Sequence, residues 1–368
     1  MRFLIITQKV DKNDDVLGFM HGWIAEFAVQ CEKVTVICLQ KGEYSLPSNV
    51  TVLSLGKPPV GWSPLLADKI LQKTSALFNF FKYIWTERNN YDTVFVHMNP
   101  EYIVLGGWLW RVMGKKISLW YAHGHVTLAL RAAELIVDGI FTSTVSGCCL
   151  KSRKIKVIGQ GIDTEKLGIK NHESMIGGGL FRIITVGRIS PVKDYETLIR
   201  AAELLNENDV KFSIDIIGGA GLAEQEKYLS DLKIMVKEKH LENVIKFLGP
   251  KPNREILSYL QLSDLFVNMS HTGSLDKAIL EAMSVGLPIL TCNVALKEVL
   301  GSFTDELMFE KGKFNDLAVR ISRIIKLPPE SRSDLGIKLR DIVVKEHSLS
   351  GFVRKILFDY VNLTNYIR

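Results

Sequence analysis

The chain has 368 residues, of which 47% are hydrophobic and 23% charged, and its formal net charge is +6 at pH 7. This globular composition comes with a length above which one hydrophobic core usually stops growing, so we expect two domains. The modest positive charge suggests attraction to phosphates or to an anionic membrane surface. The sequence has no helix-turn-helix, zinc-finger or RNA-stacking motif, and this argues against nucleic-acid binding.

The cysteines argue against a disulfide scaffold or a zinc site. There are five, an odd number, with no Cys-x-x-Cys pair, no Cys/His ligand spacing and no signal peptide ahead of them. We therefore expect a cytoplasmic protein with reduced cysteines and no bound metal. No uncharged apolar stretch approaches the ~20 residues needed to cross a bilayer, so we expect no membrane span.

In chain order, short β-branched runs alternate with helical patterns, which indicates parallel sheets with crossover helices. We predict an α/β protein with two Rossmann-like doubly wound domains: 1–170, a linker at 171–180, 181–345, and a C-terminal helix at 346–368 that packs back on the first domain. The predicted strands are 2–7, 34–39, 50–55, 93–98, 117–123 and 155–159, then 181–187, 212–218, 244–249, 265–270 and 288–291.

Two segments of the first half mix aromatic and aliphatic residues with positive charge. Residues 64–85 fit an amphipathic helix lying on an anionic leaflet, and they equally fit a helix packed on the sheet. Residues 108–116 place tryptophans next to basic residues and are the second candidate. Peripheral contact with the inner face of the cell membrane is therefore one hypothesis.

In open α/β sheets, ligands bind outside the carboxyl ends of the strands. The first such loop of the second half places Arg188 and Lys193 after a strand that ends at Gly187. A guanidinium and an ammonium beside a helix N-terminus suit a diphosphate. The alternative is that both are ordinary solvated charges.

Two further loops follow strands of the second half. Gly218 and Gly219 allow a close backbone approach to a ligand or merely a tight turn. The stretch 270–277 leads into a helix in which Glu281 lies among apolar residues and needs a hydrogen-bonding partner, unless it points to solvent.

Together these motifs resemble the donor-binding domain of family 4 glycosyltransferases, which retain anomeric configuration and have the GT-B fold. The resemblance implies two Rossmann-like domains facing a cleft and transfer of a hexose-type sugar from a nucleotide-diphosphate sugar. Because no Asp-x-Asp metal motif lies in the predicted donor site and two basic residues do, we expect the transfer to need no metal. A glycan or lipid-linked saccharide is then the acceptor. The matching elements are Val186-Gly187-Arg188 with Lys193, Gly218-Gly219, Leu280 to Met283 with Gly286 to Pro288, and Gly161-Ile162-Asp163.

The resemblance also implies roles for single residues. Arg188 and Lys193 would hold the donor diphosphate, Glu281 the nucleotide ribose, and His123 would lie beside the reacting sugar. One departure is Gly273, where the family usually has a glutamate that touches the sugar. We hypothesise that Asp276 supplies a carboxylate instead, while N–H groups of Ser274, Leu275 and Asp276 face the phosphates or sugar.

The first half would bind the acceptor. Its loop after the first strand, 8–15, is acidic and polar, and the acceptor-binding candidates are Asp11, Asn13 and His21. Two rivals remain: a GT-B sugar-nucleotide epimerase, which needs no acceptor, and a non-catalytic partner subunit, for which Gly273 is the hint.

Overall fold

The computed structural model describes residues 1–57, 66–168, 180–208, 210–270 and 274–365. Residues 66–71 and 362–365 are described by their backbone only. The chain forms two compact units. Unit 1 comprises Met1–Gly161, Pro252–Arg254 and Leu349–Arg368, and unit 2 comprises Ile162–Lys251 and Glu255–Ser348. Of the predicted linker 171–180, only Leu180 lies within the described residues.

Strands and helices alternate along both units. The strands are β1 (Arg2–Val10), β2 (Lys33–Lys41), β3 (Val50–Ser54), β4 (Thr93–His97), β5 (Lys116–Trp120), β6 (Gly139–Thr142), β7 (Ile155–Val157), β8 (Phe181–Val186), β9 (Phe212–Ile217), β10 (Ile245–Gly249), β11 (Leu265–Asn268) and β12 (Ile289–Thr291). The helices are α1 (Phe19–Gln30), α2 (Leu66–Thr86), α3 (Pro100–Val112), α4 (Leu128–Ile136), α5 (Tyr195–Glu207), α6 (Ala223–Glu238), α7 (Asn253–Leu262), α8 (Lys277–Ser284), α9 (Lys297–Leu300), α10 (Thr304–Leu307), α11 (Phe314–Lys326), α12 (Pro329–His347) and α13 (Leu349–Asn365).

Unit 1 is built on a parallel sheet with the strand order β3-β2-β1-β4-β5-β6-β7. Successive residues of β1 enter different cores: Phe3 and Ile5 pack with residues of α1 and α13, whereas Leu4 and Ile6 pack with residues of α2, α3 and α4. A strand buried on both faces needs a continuous apolar run rather than an alternating one, which is what residues 3–6 supply.

Strand β1 is longer than the sequence predicts. It continues to Val10 because Lys9 and Val10 pair with Gln40 and Lys41 of β2. The predicted loop 8–15 is therefore corrected: residues 8–10 are strand, and the loop begins at Asp11. Polar side chains at 8 and 9 concealed this extension, since they lie past the end of the apolar run.

Helix α13, the last element of the chain, packs within unit 1. The Tyr360 hydroxyl donates to the carbonyl of Val94 on β4 over 2.7 Å and contacts the Ser118 hydroxyl on β5. The Phe352 ring lies 4.3 Å from the Trp23 ring of α1, measured between centroids. These contacts bury one face of α13 against the sheet and α1.

Unit 2 has a parallel sheet in the order β10-β9-β8-β11-β12. The sequence predicts a buried face on α5, and this is confirmed, because Tyr195, Leu198, Ile199, Ala202 and Leu205 are all at most 2% exposed. The two doubly wound parallel sheets confirm the predicted fold class. In each unit the strand order reverses direction beside its first strand, between β1 and β4 and between β8 and β11, and such a switch point opens a crevice at the carboxyl ends.

Candidate functional site

The switch point of unit 2 brings together a lysine and an aspartate from two loops. After β8 the chain passes Arg188, forms a 3-10 turn at Pro191–Lys193, and enters α5 at Tyr195. The Lys193 ammonium forms an ion pair with the Asp276 carboxylate, which follows β11, and the two side chains are only 17% and 15% exposed. Sequence reasoning predicted both residues as part of the site but not that they pair.

Asp276 has a clear local role. Its Oδ1 accepts a hydrogen bond from the Ala278 amide over 3.3 Å, so the side chain caps the N-terminus of α8. Its Oδ2 accepts a hydrogen bond from the Asn268 side-chain amide over 3.1 Å, besides the contact with Lys193. Asp276 therefore fixes the start of α8 and the position of the Lys193 ammonium together.

Arg188 presents its charge differently. Its side chain is exposed, and within the described parts of the chain its guanidinium makes no hydrogen bond or ion pair. The end of β8 thus carries one cation held by a carboxylate and a second that is open to solvent. An anion that arrives here can engage Arg188 without breaking any bond within the described residues.

The predicted glycines have a packing reason. A Cβ atom on Gly218 would lie 1.8 Å from the carbonyl oxygen of Gly187, so only glycine permits this approach of the two loops. Backbone bonds continue the contact, from the Gly187 amide to the Ile217 carbonyl and from the Ile189 amide to the Gly219 carbonyl, each over 2.9 Å. The loops after β8 and β9 are thereby joined into one backbone surface.

Glu281 lies on α8 one turn after Lys277 and is half-buried, so neither alternative from the sequence, an interior or a fully solvated acid, describes it. Burial lowers the pKa of the Lys277 ammonium below its ordinary value, while the charges of Glu281 and Asp163 act to raise it. Lys277 and Asp163 were not singled out as site residues from the sequence. The spacing of Lys277 and Glu281, one helical turn, was the available signal.

The rest of the loop before α8 is only partly described. Gly273, a predicted donor-binding residue, lies outside the described residues. The Ser274 carbonyl accepts a hydrogen bond from the Asn293 side-chain amide over 2.8 Å. Leu275 is 5% exposed and packs in the core of unit 2, so any contact it makes with a ligand would involve its backbone.

In unit 1, the residues predicted to bind an acceptor hold two loops together. Asp11 Oδ1 accepts from the Asn13 amide over 3.0 Å, and the Asn13 side-chain amide donates to Glu43 Oε2 over 3.0 Å. His21 Nε2 accepts from the Ser45 amide, also over 3.0 Å. Asn13 and His21 thus connect to the segment after β2, while Asp11 bonds within its own loop, and all three lie near the carboxyl edge of that sheet.

The two strand-end histidines of unit 1 differ in environment. His123, after β5, is exposed, and its Nδ1 accepts a hydrogen bond from the His125 amide over 3.0 Å. His97, at the end of β4, is 4% exposed and packs against the rings of Trp23 and Phe19. Of the two, only His123 is available to a ligand from solvent.

The described side chains offer no cluster of three or more His, Cys, Asp or Glu residues that could hold a metal ion. The charged groups at the switch point of unit 2 are instead Arg188, Lys193 and Asp276, with Lys277, Glu281 and Asp163 on and around α8. This set can bind an anion and hydrogen-bond hydroxyl groups.

Comparisons with known proteins identify a family and several relatives. A family profile described as "Glycosyl transferases group 1" matches residues 155–341. The amylovoran biosynthesis glycosyltransferase AmsK of Erwinia amylovora is 32% identical over 151 residues, which cover 39% of this chain and 35% of that protein. The putative colanic acid biosynthesis glycosyltransferase WcaL of Salmonella typhimurium is 24% identical over 211 residues, which cover 55% of this chain and 50% of that protein. The chain thus matches half or less of the length of these relatives.

Among solved structures, Anabaena HepE in complex with UDP superposes with a TM-score of 0.75 and 16% identity, covering 98% of this chain and 100% of that one. At that identity the likeness concerns the fold, which is GT-B in both.

Proposed function

The chain belongs to the glycosyl transferases group 1 family, and from this premise we propose that it is a retaining, family 4 glycosyltransferase. It moves a hexose-type sugar from a nucleotide-diphosphate sugar to a glycan or lipid-linked acceptor in envelope polysaccharide or glycolipid synthesis. The observation that carries the proposal is the pair of cations, Arg188 and Lys193, at the switch point of unit 2. The likeness to AmsK and WcaL, glycosyltransferases named for amylovoran and colanic acid biosynthesis, supports the polysaccharide role.

The donor diphosphate binds at the end of β8. Arg188 engages the phosphate oxygens through its planar fork, and Lys193 contributes a second positive charge that it shares with Asp276 until the donor arrives. The joined loops at Gly187, Gly218 and Gly219 let the phosphates approach the backbone. The UDP bound in the HepE structure supports a nucleotide donor of this class.

Glu281 accepts hydrogen bonds from the ribose hydroxyls. Its half-buried position on α8 supports this role, because a carboxylate there is partly desolvated and remains reachable. Lys277, one turn earlier, lies close enough to Glu281 for the two charges to interact.

The chemical step depends on stabilising charge on the departing diphosphate. Arg188 and Lys193 provide that stabilisation once the donor is bound, and we therefore propose that the transfer needs no metal ion. His123 lies beside the reacting sugar, and transfer proceeds with retention of anomeric configuration. Proton NMR of the product's anomeric signal tests the stereochemistry, since an inverted product contradicts the assignment to this family.

Unit 1 binds the acceptor at the edge shaped by Asp11, Asn13 and His21. The reaction takes place in the cytoplasm, which the five free cysteines support, because disulfides are rare there.

Thermal unfolding with UDP-, GDP-, ADP- and dTDP-sugars tests the donor site, because a ligand that binds only the folded protein raises its melting temperature. We expect one nucleotide class to stabilise the wild type and to lose its effect in Arg188→Ala. Arg323→Ala is the matched control, since it removes an equally exposed arginine of unit 2 at the end of α11.

Each other outcome has a distinct meaning. A donor-induced rise in melting temperature of equal size in Arg188→Ala and the wild type would show that Arg188 does not bind the donor diphosphate. No shift with any donor favours the non-catalytic partner, and conversion of the donor sugar without an acceptor favours an epimerase.

A further inference from the structure

Helix α2 of unit 1 carries large apolar residues on two opposite faces. Phe80 and Ile84 point into the core and are at most 1% exposed. Phe78 and Trp85 lie on the other face and are 69% and 53% exposed. The helix therefore packs on the sheet and also presents aromatic rings to solvent.

Helix α3 repeats this arrangement beside α2. Ile103 and Trp110 are fully buried, whereas Trp108 is 58% and Val112 81% exposed. The ring centroids of Phe81 and Trp108 lie 6.5 Å apart, so the outer surfaces of the two helices are continuous. We call this surface the aromatic face; it consists of Phe78, Phe81, Trp85, Leu105, Trp108 and Val112.

Positive charge borders the aromatic face. Lys82 is exposed one turn after Phe78 on α2, and the Arg88 guanidinium lies 4.4 Å from the centroid of the Trp85 ring. Glu101 is exposed at the N-terminus of α3. Contiguous exposed apolar surface rimmed by polar residues is typical of an interaction site.

We propose that the aromatic face docks unit 1 on an anionic lipid bilayer. Tryptophan and phenylalanine enter the headgroup region, and the flanking Lys82 and Arg88 meet the negative surface. Among the described helices none is both long enough and apolar enough to cross a bilayer, so this contact is peripheral. No residue of the aromatic face belongs to the proposed donor site.

Sedimentation with lipid vesicles tests the proposal. We expect the wild type to sediment at low salt with vesicles of phosphatidylethanolamine and phosphatidylglycerol, and far less with phosphatidylcholine alone. The double variant Phe78→Ser, Trp108→Ser should bind at least about tenfold more weakly, since each ring then stays out of the apolar layer. Phe358→Ser on α13 is the matched control, because Phe358 is 68% exposed, as Phe78 is 69% exposed.

The charge contribution is tested separately. Lys82→Gln with Arg88→Gln should weaken binding to the anionic vesicles only, and added salt should remove the difference between this variant and the wild type. Equal binding of the aromatic double variant and the wild type overturns the proposal. So does a wild type that ignores vesicles, or one that dimerises and becomes monomeric in the aromatic double variant, because a second copy then covers the face.

The donor-induced rise in melting temperature provides an independent reading. We expect it to be unchanged in the aromatic double variant, which shows that the variant is folded. If the aromatic double variant loses vesicle binding but keeps the donor response, the aromatic face and not the fold accounts for membrane binding. If the wild type shows no donor response, that result contradicts the proposed function and leaves the membrane proposal unaffected.

Discussion

At the scale of single residues, the ion pair of Lys193 and Asp276 joins two loops of the candidate donor site. Asp276 receives hydrogen bonds from the Ala278 amide and the Asn268 side chain while it also holds the Lys193 ammonium. One carboxylate thus links the start of α8 to the loop after β8. Its role in positioning can be separated from a role in touching the sugar by substitution.

We expect Asp276→Asn to retain the cap of α8 and Asp276→Ala to lose it. Because asparagine caps helices about as well as aspartate, the alanine variant should have a free energy of unfolding lower than that of the asparagine variant by about 1 kcal/mol. Urea denaturation measures the difference, and equal values would show that the cap contributes nothing. Wild-type transfer activity in Asp276→Ala would remove the hypothesis that this carboxylate contacts the sugar.

The lowered pKa of Lys277 predicts that the stability of the folded protein depends on pH. Burial lowers its pKa in the folded protein below the unfolded value of 10.5, against the opposing charges of Glu281 and Asp163. Between those two pKa values the unfolded chain binds more protons than the folded one, so this lysine makes stability rise with pH. Below the pKa of Lys277 in the folded protein, the folded and unfolded states both bind the proton, so this lysine no longer makes stability depend on pH.

The substitution Lys277→Met should abolish that contribution. We expect the wild type to gain stability relative to the variant as the pH rises from about 7.5 to about 9.5. Urea unfolding at both pH values provides the comparison. Parallel changes in the two proteins would contradict the lowered pKa.

At the scale of elements, the sequence predicts strands and loops well where apolar runs and glycines mark them. The buried face of α5 and the glycine turns after β8 and β9 follow from pattern alone. The extension of β1 to Val10 does not, because it depends on pairing with β2. The ion pair of Lys193 with Asp276 likewise joins residues that only the strand order β8-β11 brings together.

The loop after β9 allows a sharp test of that packing. Gly218→Ala should lower the free energy of unfolding by about 1–3 kcal/mol and weaken donor binding, because the added Cβ would lie 1.8 Å from the Gly187 carbonyl oxygen. Gly221→Ala is the control within the same loop, since its nearest neighbour would lie 3.8 Å away. Indistinguishable variants would refute the close approach.

At the scale of the whole molecule, the chain leaves unit 1 after Gly161, forms unit 2 with a brief interruption at Pro252–Arg254, and returns to unit 1 with α13. The first and last helices therefore belong to one core, in which Trp23 of α1 packs on Phe352 of α13. Stability of unit 1 consequently depends on residues far apart in sequence.

Tyr360→Phe measures that dependence. The substitution removes a buried hydroxyl that donates to the Val94 carbonyl and contacts Ser118, and should cost about 1–2 kcal/mol of unfolding free energy. Tyr44→Phe, at a residue 40% exposed, should cost much less. If the two substitutions have equal effects on denaturant unfolding, the hydroxyl of Tyr360 does not stabilise unit 1.

The most direct test of the donor site is a crystal structure with bound UDP. We predict that the diphosphate lies at the end of β8, with its oxygens within hydrogen-bonding distance of the Arg188 guanidinium and the Lys193 ammonium, and that Glu281 contacts the ribose. UDP bound elsewhere, or bound here without contact to Arg188 or Lys193, would contradict the account.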